Sequence, residues 1–288
     1  MIDLSSKTAL VTGVADNVGF GWHIAKTLQA AGATVVLSCH PRVRSMLERF
    51  LSKDKYQESR VLPFNKGTFT PAAVISCDVA MDTAQDLPAE LLAQKGYEDN
   101  NVSIADLMEQ MKTVSPSLDI LIHSVAFSPE VSKSHLEVSR LAYLTAMSVS
   151  SYSLVALSRA ALPLMQNRQA SIVGLTYLAS VRAVPFYGGG MASAKAALEC
   201  DARSLSWFVG EMGHRINLIS AGPYASRAAK SIGDIETMID ATAARSPLRR
   251  AITPQDVANA ALFLCSDLST AITGEVLHVD AGYHIMGV

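Results

Sequence analysis

The chain has 288 residues, of which 49% are hydrophobic and 17% charged, and its net charge is −2. This composition suffices for one α/β domain with a large core and argues against extended disorder. The nearly neutral charge gives no basic footprint for nucleic acid or an anionic membrane surface. We therefore expect neither as a partner.

Targeting and metal signals are weak. No apolar run approaches the roughly 18 residues that span a bilayer. The first seven residues lack the apolar core of a signal peptide, and we see no transit peptide. These features predict a cytoplasmic protein. The cysteines have no CxxC spacing and the histidines form no ligand cluster, so we expect free thiols and no metal; the cysteines are Cys39, Cys77, Cys200 and Cys265.

Apolar β-rich runs alternate with helical patterns along the whole chain. Nearly continuous apolar strands are typical of a sheet covered on both faces. Strand–helix repetition indicates right-handed crossovers. We predict a single Rossmann-type domain over 1–288, a doubly wound parallel sheet of about seven strands with helices on both faces. The predicted strands are Thr8–Thr12, Thr34–Ser38, Ala73–Cys77, Asp119–His123, Ser171–Leu175, Ile216–Ser220 and Val276–Val279.

Helix signals and two insertions complete this pattern. A helix is predicted from Trp22 to Ala31, ending before Gly32. Another follows the Thr253 cap and runs to about Cys265. Residues 53–70 and 82–101 are polar and read as surface insertions, which are often functional or mobile when this long.

A glycine-rich loop, Gly13 to Gly21, follows the first strand and opens a helix. Glycines allow a tight turn there and let backbone N–H groups approach a pyrophosphate at the helix N-terminus. The spacing G-x5-G-x-G is longer than the usual fingerprint, and a plain structural turn is the alternative. In this strand–loop–helix context we predict dinucleotide binding.

The residues that would read the adenosine leave the choice of dinucleotide open. Asp78 and Val79 end the third strand, where they could bracket an adenine ring or simply form a turn. No acidic residue ends the second strand to bind a ribose 2′-hydroxyl. Arg42 and Arg44 could read a 2′-phosphate, although arginines at a helix start are more often solvated.

Tyr177, Tyr187 and Lys195 form the strongest chemical pattern. A tyrosine can polarise a carbonyl or stabilise an enolate, and a nearby ammonium lowers the phenol pKa and can hold a cofactor ribose. Singly, such a lysine is usually a solvated charge and such a tyrosine a packed core residue. Their occurrence together with the cofactor loop favours a catalytic role.

These residues resemble the enoyl-acyl-carrier-protein reductase branch of the short-chain dehydrogenase superfamily. The resemblance covers nearly the whole chain. The two insertions and the seven residues between Tyr187 and Lys195 resemble the plastid-type subgroup. The motifs that carry the resemblance are 11–15, 123–124, 150–153, 175–177, Tyr187 with Lys195, 219–223 and 272–275.

The resemblance implies a role for each matching residue. Lys195 would hold the nicotinamide ribose, Tyr187 would lie near the thioester carbonyl, and Tyr177 would be the second active-site tyrosine. Ser128 would contact substrate, and Tyr224 both substrate and cofactor. We also expect Met191 to line the substrate pocket, because an adaptable thioether suits an acyl chain. His40 departs from a subgroup tryptophan that covers adenine, and Gly19 from a serine of the commoner bacterial pattern. The other implied cofactor residues are Gly13, Phe20, Asp78, Val79, Ser124, Val125 and Ala225.

The resemblance implies NADH-dependent reduction of the 2,3 double bond of enoyl thioesters on acyl carrier protein. Ordinary short-chain dehydrogenases place their tyrosine four residues before the lysine, and here that position is Met191. This argues against the first alternative, a carbonyl reductase of 3-oxoacyl thioesters. The second alternative, a dinucleotide-binding regulator without turnover, is disfavoured because both tyrosines and the lysine are present.

Assembly and motion are two further expectations. The resemblance implies a homotetramer. The long apolar patterns Leu141–Leu164 and Ala192–Val209 agree, because they exceed what one sheet face covers. Residues 224–243 follow a hinge-like Ala-Gly-Pro and are predicted to form a mobile substrate lid. Its apolar face would comprise Ala225, Ala228, Ala229 and Ile232, with Arg227, Lys230 and Asp234 in solvent.

Overall fold

The computed structural model describes residues 2–226, 229 and 235–287, without the side chain of Asn65. Seven strands form one parallel sheet: β1 Thr8–Thr12, β2 Thr34–Cys39, β3 Ala73–Ser76, β4 Ile120–His123, β5 Ser171–Thr176, β6 Arg215–Ala221 and β7 Val276–Val279. Their order is β3-β2-β1-β4-β5-β6-β7. This confirms the predicted Rossmann-type sheet, with every strand end within one residue of expectation.

Helices cover both faces of the sheet. They are α1 Phe20–Ala30, α2 Arg44–Ser52, α3 Gln57–Arg60, α4 Ala89–Leu92, α5 Ile104–Val114, α6 Arg140–Met147, α7 Ser153–Met165, α8 Met191–Gly210, α9 Ile235–Arg245 and α10 Pro254–Cys265. On one face α1 and α10 pack together over the sheet. On the other face lie α5, α7 and α8. The strands β1, β2, β4 and β5 are almost entirely buried, which explains their unbroken apolar sequence.

The chain adds β2 and β3 on one side of β1 and then crosses over to add β4 on its other side, so the strand order reverses at β1. β1 pairs in parallel with β2 on one side and with β4 on the other. The carboxyl ends of all these strands therefore lie at one edge of the sheet. Ligands of open α/β sheets bind outside these carboxyl ends, at the point where the strand order reverses.

The start of α10 forms as the sequence predicts. The Thr253 side chain accepts a hydrogen bond from the Asp256 N–H, and the Asp256 carboxylate accepts from the Thr253 N–H. This capping box satisfies two backbone donors that a helix start otherwise leaves free.

The long apolar pattern near residue 150 forms a single helix, Arg140–Met165, with a π-helical turn at Ser148–Tyr152 between α6 and α7. By length and composition alone it could cross a membrane, with mean hydropathy 1.3 over the best window. The expectation that no segment reaches this length is therefore wrong. The test is weak, because half of that window is buried against the sheet as in a core helix.

The two insertions carry short helices and are anchored to the fold. In the first, Phe69 is buried and its ring lies 5.0 Å from the Trp22 ring of α1. In the second, Tyr97 is 1% exposed. The polar composition of these segments conceals one buried aromatic anchor in each.

Candidate active site

The candidate catalytic residues come from the end of β5 and the start of α8. Tyr177 directly follows β5, and Lys195 lies in the second turn of α8. Tyr187 precedes the helix in a turn closed by its own N–H, which donates to the Val184 carbonyl at 3.1 Å. The structure brings all three predicted residues to the carboxyl edge of the sheet.

The three glycines after Tyr187 allow this turn to pack against the loop 128–133. A Cβ on Gly188 would lie 1.9 Å from the Lys133 carbonyl oxygen, so no side chain fits there. The Gly189 N–H donates to that oxygen at 2.8 Å, and Ser128 Oγ donates to the Gly189 carbonyl at 2.7 Å. Gly190 begins α8 with φ +79°, a left-handed value that favours glycine. This packing holds Tyr187 off the helix.

The two tyrosine rings face each other in the cleft. Their centroids are 4.9 Å apart with planes tilted by 59°. Burial raises the pKa of Tyr187 well above its usual range, and neighbouring Tyr177 adds to this. Burial likewise raises the pKa of Tyr177 to about 12. Both phenols are therefore neutral hydrogen-bond donors at physiological pH.

Lys195 is 4% exposed, and its Nζ donates to the Leu175 carbonyl oxygen at 2.7 Å. Burial lowers its pKa to about 8, while Glu199 opposes the shift. The expectation that Lys195 lowers the phenol pKa is wrong. Desolvation dominates at Tyr187, and the lysine amine is turned to the end of β5. Lys195 retains two further N–H donors for ribose hydroxyls.

Met191 occupies the position four residues before Lys195. It is 3% exposed, and its sulfur accepts a weak hydrogen bond from Ser150 Oγ at 3.6 Å. Ser150 also accepts from the Phe127 N–H at 2.9 Å. Met191 therefore packs under the cleft, where an adaptable thioether suits an apolar chain.

The loop after β1 fits a dinucleotide pyrophosphate. Gly13 has φ +73°, and a Cβ there would lie 2.2 Å from the Ser124 carbonyl oxygen, so the loop backbones touch. Gly19 caps α1 without a side-chain hydrogen bond, which leaves the first-turn N–H groups for an anion. Asp16 Oδ1 accepts from Gly19 N at 2.7 Å and fixes the loop shape.

Other predicted cofactor residues lie around this loop. Val125 is in contact range of Gly13, because Cγ2 would lie 3.0 Å from an added Cβ. The Phe20 ring at the start of α1 lies 5.4 Å from the Tyr224 ring, which follows β6. Ala225 is half-buried beside it. The ends of β1, β4 and β6 thus meet.

The adenine pair predicted at Asp78 and Val79 is buried next to the second insertion. Tyr97 Oη donates to Asp78 Oδ2 at 2.7 Å and lies 3.1 Å from His40 Nε2. Burial alone would raise the pKa of Asp78, but hydrogen bonds from His40, Tyr97 and the Ala80 N–H lower it. The carboxylate is therefore an ionised acceptor, as an adenine amino group requires.

Neither candidate 2′-phosphate reader is free in the structure. The Arg42 guanidinium donates to Gln94 Oε1 and lies 6.0 Å from the Tyr97 ring centroid. Arg44 Nε donates to Glu48 Oε1 at 2.9 Å. These contacts weigh against NADPH.

The predicted lid is described in part. Residues 227, 228 and 230–234 lie outside the described residues, and these include Ala228 and Ile232, two of the four residues of the proposed apolar face. The described part comprises the loop to Ser226, Ala229 and the helix α9. Ala229 and Ile235 are buried.

Two buried residues at the site escaped sequence reasoning. Tyr97 lies in a polar insertion, and Glu199 resembles any solvated helix acid. The spacing of Glu199, four residues after Lys195 and so on the same helix face, is the one available signal. In the described part of the chain, no group of three or more potential ligands could hold a metal ion.

Comparisons with known proteins agree with this geometry. The family model described as Enoyl-(Acyl carrier protein) reductase matches residues 72–284. The chain is 45% identical to the chloroplastic enoyl-acyl-carrier-protein reductase (NADH) of Arabidopsis thaliana, over all of this chain and 74% of that protein. It is 39% identical to the NADH-named enzyme FabI of Aquifex aeolicus, over 99% of this chain and 94% of the other.

A solved structure extends the likeness to three dimensions. The Plasmodium berghei enoyl-acyl-carrier-protein reductase with triclosan has a TM-score of 0.93 to this chain at 37% identity, covering 98% of both. A family model over most of the sequence, full-length relatives and this shared fold lead to one conclusion: the chain belongs to the enoyl-acyl-carrier-protein reductase family.

Proposed function

We infer that the protein catalyses NADH-dependent reduction of the 2,3 double bond of enoyl-acyl-carrier-protein thioesters, a step of fatty acid elongation. The observation that carries this is the paired rings of Tyr177 and Tyr187 at the cleft of Lys195. Met191 is buried at the position where an ordinary dehydrogenase has its tyrosine. The family membership and the NADH-dependent names of the relatives support the same reaction.

Tyr187 is the proposed electrophilic group. When bound, NADH would supply the hydride that adds at C3 of the enoyl group, and addition of a proton at C2 would complete the reduction. Tyr187 donates a hydrogen bond to the thioester oxygen, where negative charge grows as C3 is attacked. Its raised pKa keeps the proton on the phenol, so that the phenol donates throughout. Tyr177, across the ring contact, is the second donor facing the same space.

Lys195 holds the nicotinamide ribose through the N–H donors that Leu175 does not use. The backbone around Gly13 and Gly19 binds the pyrophosphate, and Asp78 accepts from the adenine amino group. Met191 and Tyr224 line the acyl pocket, while Ser128 fixes the turn that carries Tyr187. The proposed cofactor contacts also include Phe20, Val79, Ser124, Val125 and Ala225.

The physiological substrate implies acyl carrier protein as a transient partner. We further propose one domain over 1–288, a cytoplasmic location and a homotetramer. Large exposed apolar side chains on α6 and α8 support self-association, since monomers rarely expose such groups together. They are Leu141, Leu144, Trp207 and Phe208.

One assay tests the reaction. Purified protein is mixed with NADH and either crotonyl or acetoacetyl thioester, and nicotinamide absorbance is followed. We expect enoyl reduction far above 3-oxoacyl reduction. Robust 3-oxoacyl turnover with no enoyl turnover would indicate a carbonyl reductase, and binding of NADH without turnover would indicate a regulator.

A further inference from the structure

Glu199 is a buried acid without an assigned role in the reaction. It lies on α8 four residues after Lys195 and is 7% exposed. Its Oε1 accepts a hydrogen bond from Thr176 Oγ1 at 2.8 Å. Burying a carboxylate is costly unless its charge is used or compensated.

Two successive residues of β5 form hydrogen bonds with side chains from two successive turns of α8. The Leu175 carbonyl accepts from Lys195 Nζ at 2.7 Å, and the next residue, Thr176, donates to Glu199. The strand end therefore fixes the ammonium and the carboxylate on the same helix face. Tyr177 follows immediately, so this arrangement adjoins the reaction centre.

The other titratable groups near this pair contribute little charge. His123 on β4 is fully buried, and burial, assisted by Lys195, lowers its pKa to about 3. Tyr177 and Tyr187 stay neutral through burial. On β7, burial and then His284 lower the pKa of His278, a group on which Glu199 also acts. Within the described residues, Glu199 is the group that opposes the lowering of the Lys195 pKa.

We propose that Glu199 is a positioning residue whose negative charge keeps the buried Lys195 ammonium protonated at neutral pH. This rests on the proposed role of Lys195 in holding the cofactor ribose. An opposite charge one helical turn away in a poorly solvated site favours the ammonium, whereas burial alone favours the neutral amine. Without Glu199, Lys195 loses its proton within the physiological range and binds the ribose less well.

A purely structural role predicts something different. If Glu199 only anchors α8 to β5, its hydrogen bond to Thr176 matters and its charge does not. Glu199→Gln keeps an acceptor of the same shape and removes the charge. Thr176→Val removes the hydrogen bond and keeps the charge. The two roles therefore predict opposite results for these variants.

The experiment measures NADH affinity by calorimetry, and kcat/KM for crotonyl thioester, from pH 6 to 10. Wild-type values should fall as pH rises through about 8, where Lys195 deprotonates. In Glu199→Gln the midpoints of both falls should move at least about one unit lower, so that affinity at pH 8 drops roughly fivefold or more while affinity at pH 6 is retained. Thr176→Val and Glu199→Asp should keep the wild-type midpoint. Glu211→Gln, the same charge change at the exposed end of α8, is the matched control and should also keep it.

An unshifted midpoint in Glu199→Gln, or a shift in Glu199→Asp equal to that in Glu199→Gln, overturns the proposal. If Glu199→Gln does not fold, as judged by circular dichroism, a displaced midpoint in the charge-retaining Glu199→Asp still contradicts it. A wild-type protein that binds NADH but does not reduce crotonyl thioester contradicts the proposed function instead. The binding profile then still decides whether Glu199 sets the charge of Lys195.

Discussion

The rings of Tyr177 and Tyr187 lie 4.9 Å apart, although Tyr177 directly follows a strand and Tyr187 belongs to a turn ten residues later. The glycine run behind Tyr187 makes this possible, because Gly188 packs directly on the Lys133 backbone. Two neutral phenols therefore face one cleft. They can share the hydrogen bonding of a single substrate oxygen, but their contributions need not be equal.

Removing one hydroxyl should separate chemistry from cofactor binding. We expect Tyr187→Phe to lower turnover by more than about tenfold, because it removes only charge stabilisation in the transition state. NADH affinity should change little. Lys195→Ala should weaken both. Steady-state kinetics and calorimetry measure the two effects, and an equal loss of cofactor affinity in both variants would contradict this division of roles.

The buried charge of Lys195 should destabilise the ligand-free protein. Its folded-state pKa of about 8 lies below the ordinary value of 10.5. The cost of burying the charge is therefore complete below pH 8 and disappears as pH rises towards 10.5, where both states lose the proton. Lys195→Met should stabilise the protein at pH 7 by up to roughly 3 kcal/mol, and less at pH 10. Urea unfolding at the two pH values checks this; destabilisation of the same size at both would show that packing of the lysine stem dominates.

NADH should bind more tightly than NADPH. Arg42 is engaged by Gln94 and Tyr97 and is not available to a 2′-phosphate. Gln94→Ala should release Arg42 and reduce the difference in affinity between the two cofactors, by improving NADPH binding alone. Adding Arg42→Ala to this variant should restore the wild-type difference in affinity. Dissociation constants for both cofactors decide, and tighter NADPH binding by the wild type would mean that the arginines already read a phosphate.

Self-association should depend on the exposed face of α8. Trp207 is 71% exposed, a large apolar surface for a monomer. Light scattering should report a tetramer at micromolar concentration, and Trp207→Glu should dissociate it. Phe64→Glu, a change at an equally exposed residue of the first insertion, is the control that should not. A stable wild-type monomer would refute the prediction.

We predict that residues 224–243 act as a lid that closes over the ligands. Tyr224 lies against Phe20 at the cofactor loop, so this segment leaves the sheet beside the site. We expect hydrogen exchange across it to slow when NADH and an enoyl substrate analogue are both bound. Strong protection in the free protein, unchanged by ligand, would instead describe a permanently packed helix.

The sheet was predictable because its strands are buried on both faces and therefore read as unbroken apolar runs. The capping box at Thr253 was predictable because its partners are three residues apart. The π-helical turn at Ser148–Tyr152 was not, since it leaves the apolar pattern of Arg140–Met165 uninterrupted. The same continuity explains why that helix is long and apolar enough to span a membrane, although it packs against the sheet.

The site was predictable in identity and less so in electrostatics. Sequence spacing brought Tyr187 and Lys195 together but could not show that Lys195 turns to Leu175. The direction of the phenol shift at Tyr187 was therefore wrong. Tyr97 acts on residues distant in sequence, and Glu199 occupies an ordinary helix position. Only their burial in the structure shows that either residue belongs to the site.

The spread of the proposed site along the chain has a consequence for how the protein forms. Its residues run from Gly13 to Ala225, so no short stretch of chain contains the whole site. Every crossover between β1 and β6 must be in place before the glycine loop, the tyrosines and the lysine meet, and such non-local pairing is slow. The dinucleotide can therefore stabilise only the completed fold, by mass action. Dinucleotide binding therefore stabilises the protein after folding and does not accelerate the early folding steps.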